Sequence, residues 1–170
     1  MKQLKSYLSD KVDAELRKIA MERFGYVRGA ISSAVEEAVV QWLKKEAVIS
    51  EAIRRITEYA KKDDNVTAVL LFGSYARKEP AFNDVDIGIL AKKGNKIDIL
   101  RYTHLLEEDW NDLIQISIIN DFPEWVQMHM IDEGALLQIN DREELFRYSS
   151  DLILYASDNL HIAALLRDAA

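Results

Sequence analysis

"LLFGSYARKEPAFNDVDIGIL", residues 70–90, joins an apolar run, a Gly-Ser corner, a polar loop and a second apolar run carrying two aspartates one residue apart. Side chains alternate between the two faces of a strand, so Asp84 and Asp86 share one face and Val85 takes the other. Like charges placed this way repel unless a cation lies between them. Such a pair suits Mg2+, which takes one or two carboxylates while phosphate oxygens and water complete its octahedron. At the corner, Gly73 lets the backbone turn and approach a ligand closely. Backbone N–H groups there, with the Ser74 hydroxyl, can hold phosphate oxygens, and Arg77 follows within one turn, where its guanidinium can meet phosphate charge. An Asp-x-Asp or a Gly-Ser alone is common in half-exposed strands and turns. The order strand, corner, loop, strand, with nine residues between Ser74 and Asp84, is much rarer and points to a metal–triphosphate site.

Outward from this stretch, "TAVLLF" reads as a buried strand and "DVDIGIL" as its neighbour. After the loop "KKGNK", the spacing predicts a helix over "DILRYTHLLEEDW" and a third strand over "DLIQISII", with Leu113, Gln115 and Ser117 alternating against Ile114, Ile116 and Ile118. Asn120–Pro123 starts a helix, "PEWVQMHMIDE", which Gly134 is expected to end in the left-handed conformation. "ALLQI" is a fourth strand candidate, and Asp141 onward reads as one or two closing helices.

The N-terminal part has a different character. "QLKSYLS" alternates at period two, with Leu4 and Leu8 on one face and Gln3, Lys5 and Tyr7 on the other. Asp10 or Asp13 caps a helix over "AELRKIAMERF" that Gly25 stops, and Ser32 or Ser33 opens a second helix, with Glu36 in capping-box register. No Gly or Pro interrupts residues 33–62, a helical period too long for one ordinary helix, so a boundary or kink is expected near residue 47. Two segments follow: 1–47, strand-helix-helix, and 48–170, a small mixed sheet flanked by helices. The fold class is α+β.

Composition is that of a globular protein: hydrophobic residues make up 49% and charged residues 30%, without low-complexity sequence. With no cysteine, a bound metal must take oxygen or imidazole ligands. His104, His129 and His161 lack metal-ligand spacing, and Trp42, Trp110 and Trp125 are read as fillers of helix interfaces. The formal charge of −7 is uneven, since residues 1–50 hold nine Lys/Arg against seven Asp/Glu while the remainder is strongly acidic. With neither a signal-peptide core at the N-terminus nor a run long enough to span a membrane, a cytoplasmic location without membrane association is expected.

The stretch "GSYARKEPAFNDVDIGIL" resembles the signature of the minimal nucleotidyltransferase domains of the DNA polymerase β-like superfamily, Gly-Ser-x-Ala-Arg-Gly, a loop, then Ser-Asp-x-Asp-hydrophobic. The resemblance spans roughly residues 50–140. It implies Mg2+-dependent transfer of a nucleotidyl group, from ATP, with Asp84 and Asp86 as metal ligands and catalytic residues and with Gly73, Ser74 and Arg77 at the triphosphate. It further implies the setting of a toxin–antitoxin pair, with a HEPN-type protein partner that is nucleotidylated. Departures accompany the match. Where the family has a third carboxylate stands Gln115, which is neither a charged ligand nor a general base; the glycine after the arginine is Lys78; the serine before the first aspartate is Asn83. A second reading is therefore a degenerate nucleotidyltransferase that only binds nucleotide or a partner. Residues 1–47 resemble ribbon-helix-helix proteins, which dimerise by pairing strands and lay the ribbon in the DNA major groove. That likeness implies a homodimer with Gln3, Lys5 and Tyr7 facing DNA and Arg28 near phosphate, against the plainer reading of a helical hairpin that only dimerises or packs.

Overall fold

Four strands take the apolar runs: β1 (Val66–Phe72), β2 (Val85–Ala91), β3 (Ile114–Ile118) and β4 (Ala135–Ile139). They form one mixed sheet in the order β3-β2-β1-β4, with β1 antiparallel to β2 and β4 and with β2 parallel to β3. A computed structural model describes residues 7–110 and 112–168, with side chains as far as Ser157. It divides into two compact units, Met1–Ala47 and Val48–Ala170.

In the second unit both faces of the sheet are covered, which is why β1 is apolar at nearly every position instead of alternating. On one face Val69, Leu71, Val85, Ile87 and Ile89 meet Ile49, Ala52, Ile56 and Ala60 of helix α2 (Ala30–Ala60), together with Tyr102, Leu106 and Trp110. On the other face Ala68, Leu70, Leu90, Ile119 and Met130 pack with Phe72, Val126, Leu145 and Tyr148. The last of these come from α5 (Glu124–Glu133) and α6 (Arg142–Asp168), after the single-turn α3 (Gly73–Ala76) and α4 (Ile99–Thr103). A side chain such as Ile87, fully buried, stabilises the fold by about 1.5–3 kcal/mol. Arg55 of α2 lies over the Trp110 ring at 4.7 Å and donates to Glu51, Glu107 and the Leu105 carbonyl, tying the helix to the segment before β3.

Beneath α5 a buried amide organises the turn that follows β3. Gln127, 7% exposed, accepts from the Tyr148 hydroxyl and donates to the carbonyls of Phe122 and Asn120. Burial pushes the Tyr148 hydroxyl up to about 12. Gln127→Ala leaves three partly buried polar groups without their partner, each at about 1 kcal/mol. Thermal unfolding of the variant is expected to fall by about 6–12 °C. A loss under about 1 °C would show that the amide is dispensable.

Several boundaries differ from the sequence reading. The division into two units falls at residue 47, but α2 runs through it unbroken, because the small propensity deficit of Val48, Ile49 and Ser50 is outweighed by the complete burial of Ile49 and Ala52. It starts at Ala30, ahead of Ser32 and Ser33, once Gly29 at φ +100° has turned the chain. α1 (Asp10–Phe24) is capped by Ser9 without a side-chain bond, while Asp13, within the first turn, pairs with Arg17 at 2.7 Å. Gly25, at φ +80°, ends it. The helix expected over residues 98–110 shrinks to α4 and a 3-10 turn at Glu108–Trp110. Gly134 is extended at φ −75°, not left-handed; it is glycine because a Cβ there would lie 2.3 Å from the Met130 carbonyl oxygen.

In the first unit, of the strand expected over residues 3–9, residues 3–6, including Gln3 and Lys5, lie outside the described residues. Tyr7, Leu8 and Ser9 are in no strand, and no second strand among the described residues of this unit offers an edge to pair with. Only Ala20 and Ala30 among its described apolar residues are buried. Trp42 is exposed, as is Trp125 in the other unit; of the three tryptophans only Trp110 fills an interface.

Candidate active site

Antiparallel pairing of β1 with β2 brings the end of one strand to the start of the next, with Phe72 opposite Asp86. Val85 and Ile87 are driven into the core on one face, so Asp84 and Asp86 stand on the other, and both are half-buried. The Val85 N–H donates to the Leu113 carbonyl at 2.8 Å, fixing the height of the two aspartates against β3. In that parallel register Asp86 lies beside Gln115.

At the corner the chain leaves β1 through Gly73 at φ +76° and winds one helical turn, Gly73–Ala76, before the loop. A Cβ on Gly73 would sit 2.1 Å from Asp86 Oδ2. The glycine thus serves two ends: it permits the left-handed turn and it lets a carboxylate rest against bare backbone. Tyr75 and Phe82, rings 4.8 Å apart and nearly perpendicular, close the loop between corner and aspartates. The Asp86 carboxyl is raised above the ordinary range, first by burial and then by the charge of Asp84, while Arg77 pulls it back. A site that holds two carboxylates together at this cost is suited to a cation.

Gln115 donates from Nε2 to Asp84 Oδ2 at 2.8 Å. Its amide oxygen can supply one more neutral oxygen donor but no charge. Among the described residues no group of three or more His, Asp or Glu is arranged to hold a metal. The donor set is two carboxylates and an amide, a number that fits Mg2+ with substrate oxygens and water in the remaining positions.

Arg77, read as a triphosphate contact, donates to Glu79 at 2.8 Å and to Glu133 at 3.3 Å. Glu133 is 56 residues further on, at the end of α5, and no spacing in the sequence connects it to the corner. Ser74 is half-buried on the turn beside Gly73. Tyr7 and Arg28, the described members of the set read as DNA-facing, are exposed in the first unit.

Residues 54–143 match the family described as polymerase beta, nucleotidyltransferase. No curated protein matches the chain. Among solved structures, the chain is similar to one in a toxin–antitoxin with AMP-PNP, at 17% identity and a TM-score of 0.49, covering 73% of this chain and 97% of that one. It is also similar to a chain of a tri-AMPylated Shewanella oneidensis HEPN toxin in complex with MNT antitoxin, at 16% identity and a TM-score of 0.46, covering 76% and 98%. A toxin–antitoxin MntA–HepT structure follows at 14% identity and a TM-score of 0.44, covering 75% and 97%.

Proposed function

The chain belongs to the polymerase beta nucleotidyltransferase family, and from that premise we propose that it passes an adenylyl group from ATP to a protein acceptor, with Mg2+ held by Asp84 and Asp86. One observation carries the reading: Asp86 rests against the bare backbone of Gly73 while Asp84 shares its face, so carboxylates and corner converge on one point. When bound, Mg2+ supplies charge neutralisation at the phosphates.

The chain's own residues orient the reactants. Gly73 and Ser74 flank the triphosphate, with Arg77 at its edge, and the half-buried carboxylates set its depth. An acceptor hydroxyl oxygen forms the new bond to the α-phosphorus as the bond to the bridging oxygen breaks, and pyrophosphate leaves with the electron pair. The acceptor's proton passes to water, since Gln115 offers no basic group. The test is transfer of label from α-labelled ATP in the presence of Mg2+ to a HEPN-type protein, the acceptor class that the sequence resemblance suggests. Absence of transfer to every acceptor offered would remove the enzyme reading.

A second reading is favoured by Gln115: a regulator that binds nucleotide without transfer. Nucleotide affinity without any turnover would select it.

For the first unit we propose a homodimer that binds DNA. Leu16, Ile31, Val35, Val39 and Trp42 line a cavity of about 540 Å3 that leaves an apolar face uncovered within the unit. A charge placed there, as in Trp42→Glu, is expected to convert a dimer to a monomer in light scattering. Lys5→Ala is expected to weaken an operator-DNA shift. A wild type already monomeric, or DNA binding untouched by Lys5→Ala, would overturn these assignments.

A further inference from the structure

We propose that Lys78 is the positive charge of this chain that meets the nucleotide's phosphates, in addition to the corner itself; the inference rests on the nucleotide-site reading above. Lys78 has φ +57°, the one non-glycine residue in the left-handed region among those described. A Cβ makes that conformation unfavourable, and glycine adopts it freely. Nothing in the fold asks for lysine there. The side chain is exposed, and among the described residues its ammonium has neither an ion pair nor a hydrogen bond.

The backbone around it is held in place. Arg77 N–H donates to the Gly73 carbonyl at 3.2 Å, Lys78 N–H to Tyr75 at 3.0 Å and Glu79 N–H to Ser74 at 3.1 Å. These bonds fold residues 77–79 back over the corner. A lysine at the middle of that fold carries its charge on a flexible four-carbon stem within reach of whatever Gly73 and Ser74 hold.

Charge balance makes the difference. The Arg77 guanidinium is shared by the Glu79 and Glu133 carboxylates, so that trio carries a net negative charge. Asp84 and Asp86 add two more. With Mg2+ at Asp84 and Asp86, a triphosphate approaching this corner still meets the net negative Glu79, Glu133 and Arg77 trio, and among the described residues 73–79 Lys78 is the cation not already paired. Lysine in place of the residue best suited to the backbone is then explained by binding.

The experiment measures Mg2+-dependent affinity for a non-hydrolysable ATP analogue, alongside thermal unfolding without nucleotide, for wild type, Lys78→Gly and Lys78→Arg. Lys78→Gly is expected to melt about 2–4 °C higher, because strain is relieved, and to bind the analogue about tenfold more weakly. Lys78→Arg is expected to keep wild-type affinity. Higher stability with unchanged affinity in Lys78→Gly would overturn the inference and leave the site reading standing. A wild type with no affinity for the analogue would overturn both.

Discussion

Asp86→Asn is expected to abolish adenylyl transfer, by at least about 100-fold, without harming the fold. Asp86 is one of two carboxylates on its face, proposed above to hold Mg2+, and partners that merely orient a metal ligand are themselves worth about 10–100-fold. Its replacement by a neutral isostere also removes a half-buried charge repelled by Asp84, so the variant should melt at or above the wild-type temperature in the absence of Mg2+. Mg2+ with nucleotide should raise the melting temperature of wild type and leave that of Asp86→Asn unmoved, by linkage. The measurements are label transfer and thermal scans with and without Mg2+. Transfer at the wild-type rate would show that the carboxylate is not a metal ligand for the reaction.

Gly73→Ala should give the second largest effect, and its cause is steric. The added methyl group falls 2.1 Å from Asp86 Oδ2, and the atom that must yield is the end of a side chain, so the carboxylate swings away instead of the sheet breaking. The left-handed turn at φ +76° adds about 1–2 kcal/mol of strain. A loss of about 1–2 kcal/mol in stability is expected beside a loss of roughly 100-fold in transfer, the scale of a 1 Å misplacement at a reacting centre. Denaturant unfolding reads the first and initial rates the second. If transfer fell no further than folded protein did, the corner would be a structural turn and not a part of the site.

The sheet and the aspartate pair were legible because each rests on a local rule. The apolar run of β1, the alternation around Val85 and the uncharged run of β3 set strands by side-chain period, and the same period places Asp84 and Asp86 on one face. Element ends were less legible. α2 persists past Val48 because burial of Ile49 and Ala52 outweighs local propensity, and α4 stops at Thr103 although the apolar spacing continues. Gly134 ends α5 as its place in the sequence suggests, but the expected left-handed conformation is absent, and what excludes a side chain there is a carbonyl 2.3 Å from the missing Cβ.

What the sequence by itself determined is the set of parts: strands, corner, two carboxylates on a shared face and the family to which residues 54–143 belong. Adjacent residues interact through fixed periods, so those parts need no knowledge of the rest of the chain. Only the tertiary structure decided that Gln115 holds Asp84, that Glu133 takes a share of Arg77 and that Lys78 keeps its charge unshared in a strained backbone. These are contacts between residues far apart in the chain or conformations set by packing, and a long-range contact depends on where the sheet register and α5 bring the side chains, which no local spacing encodes.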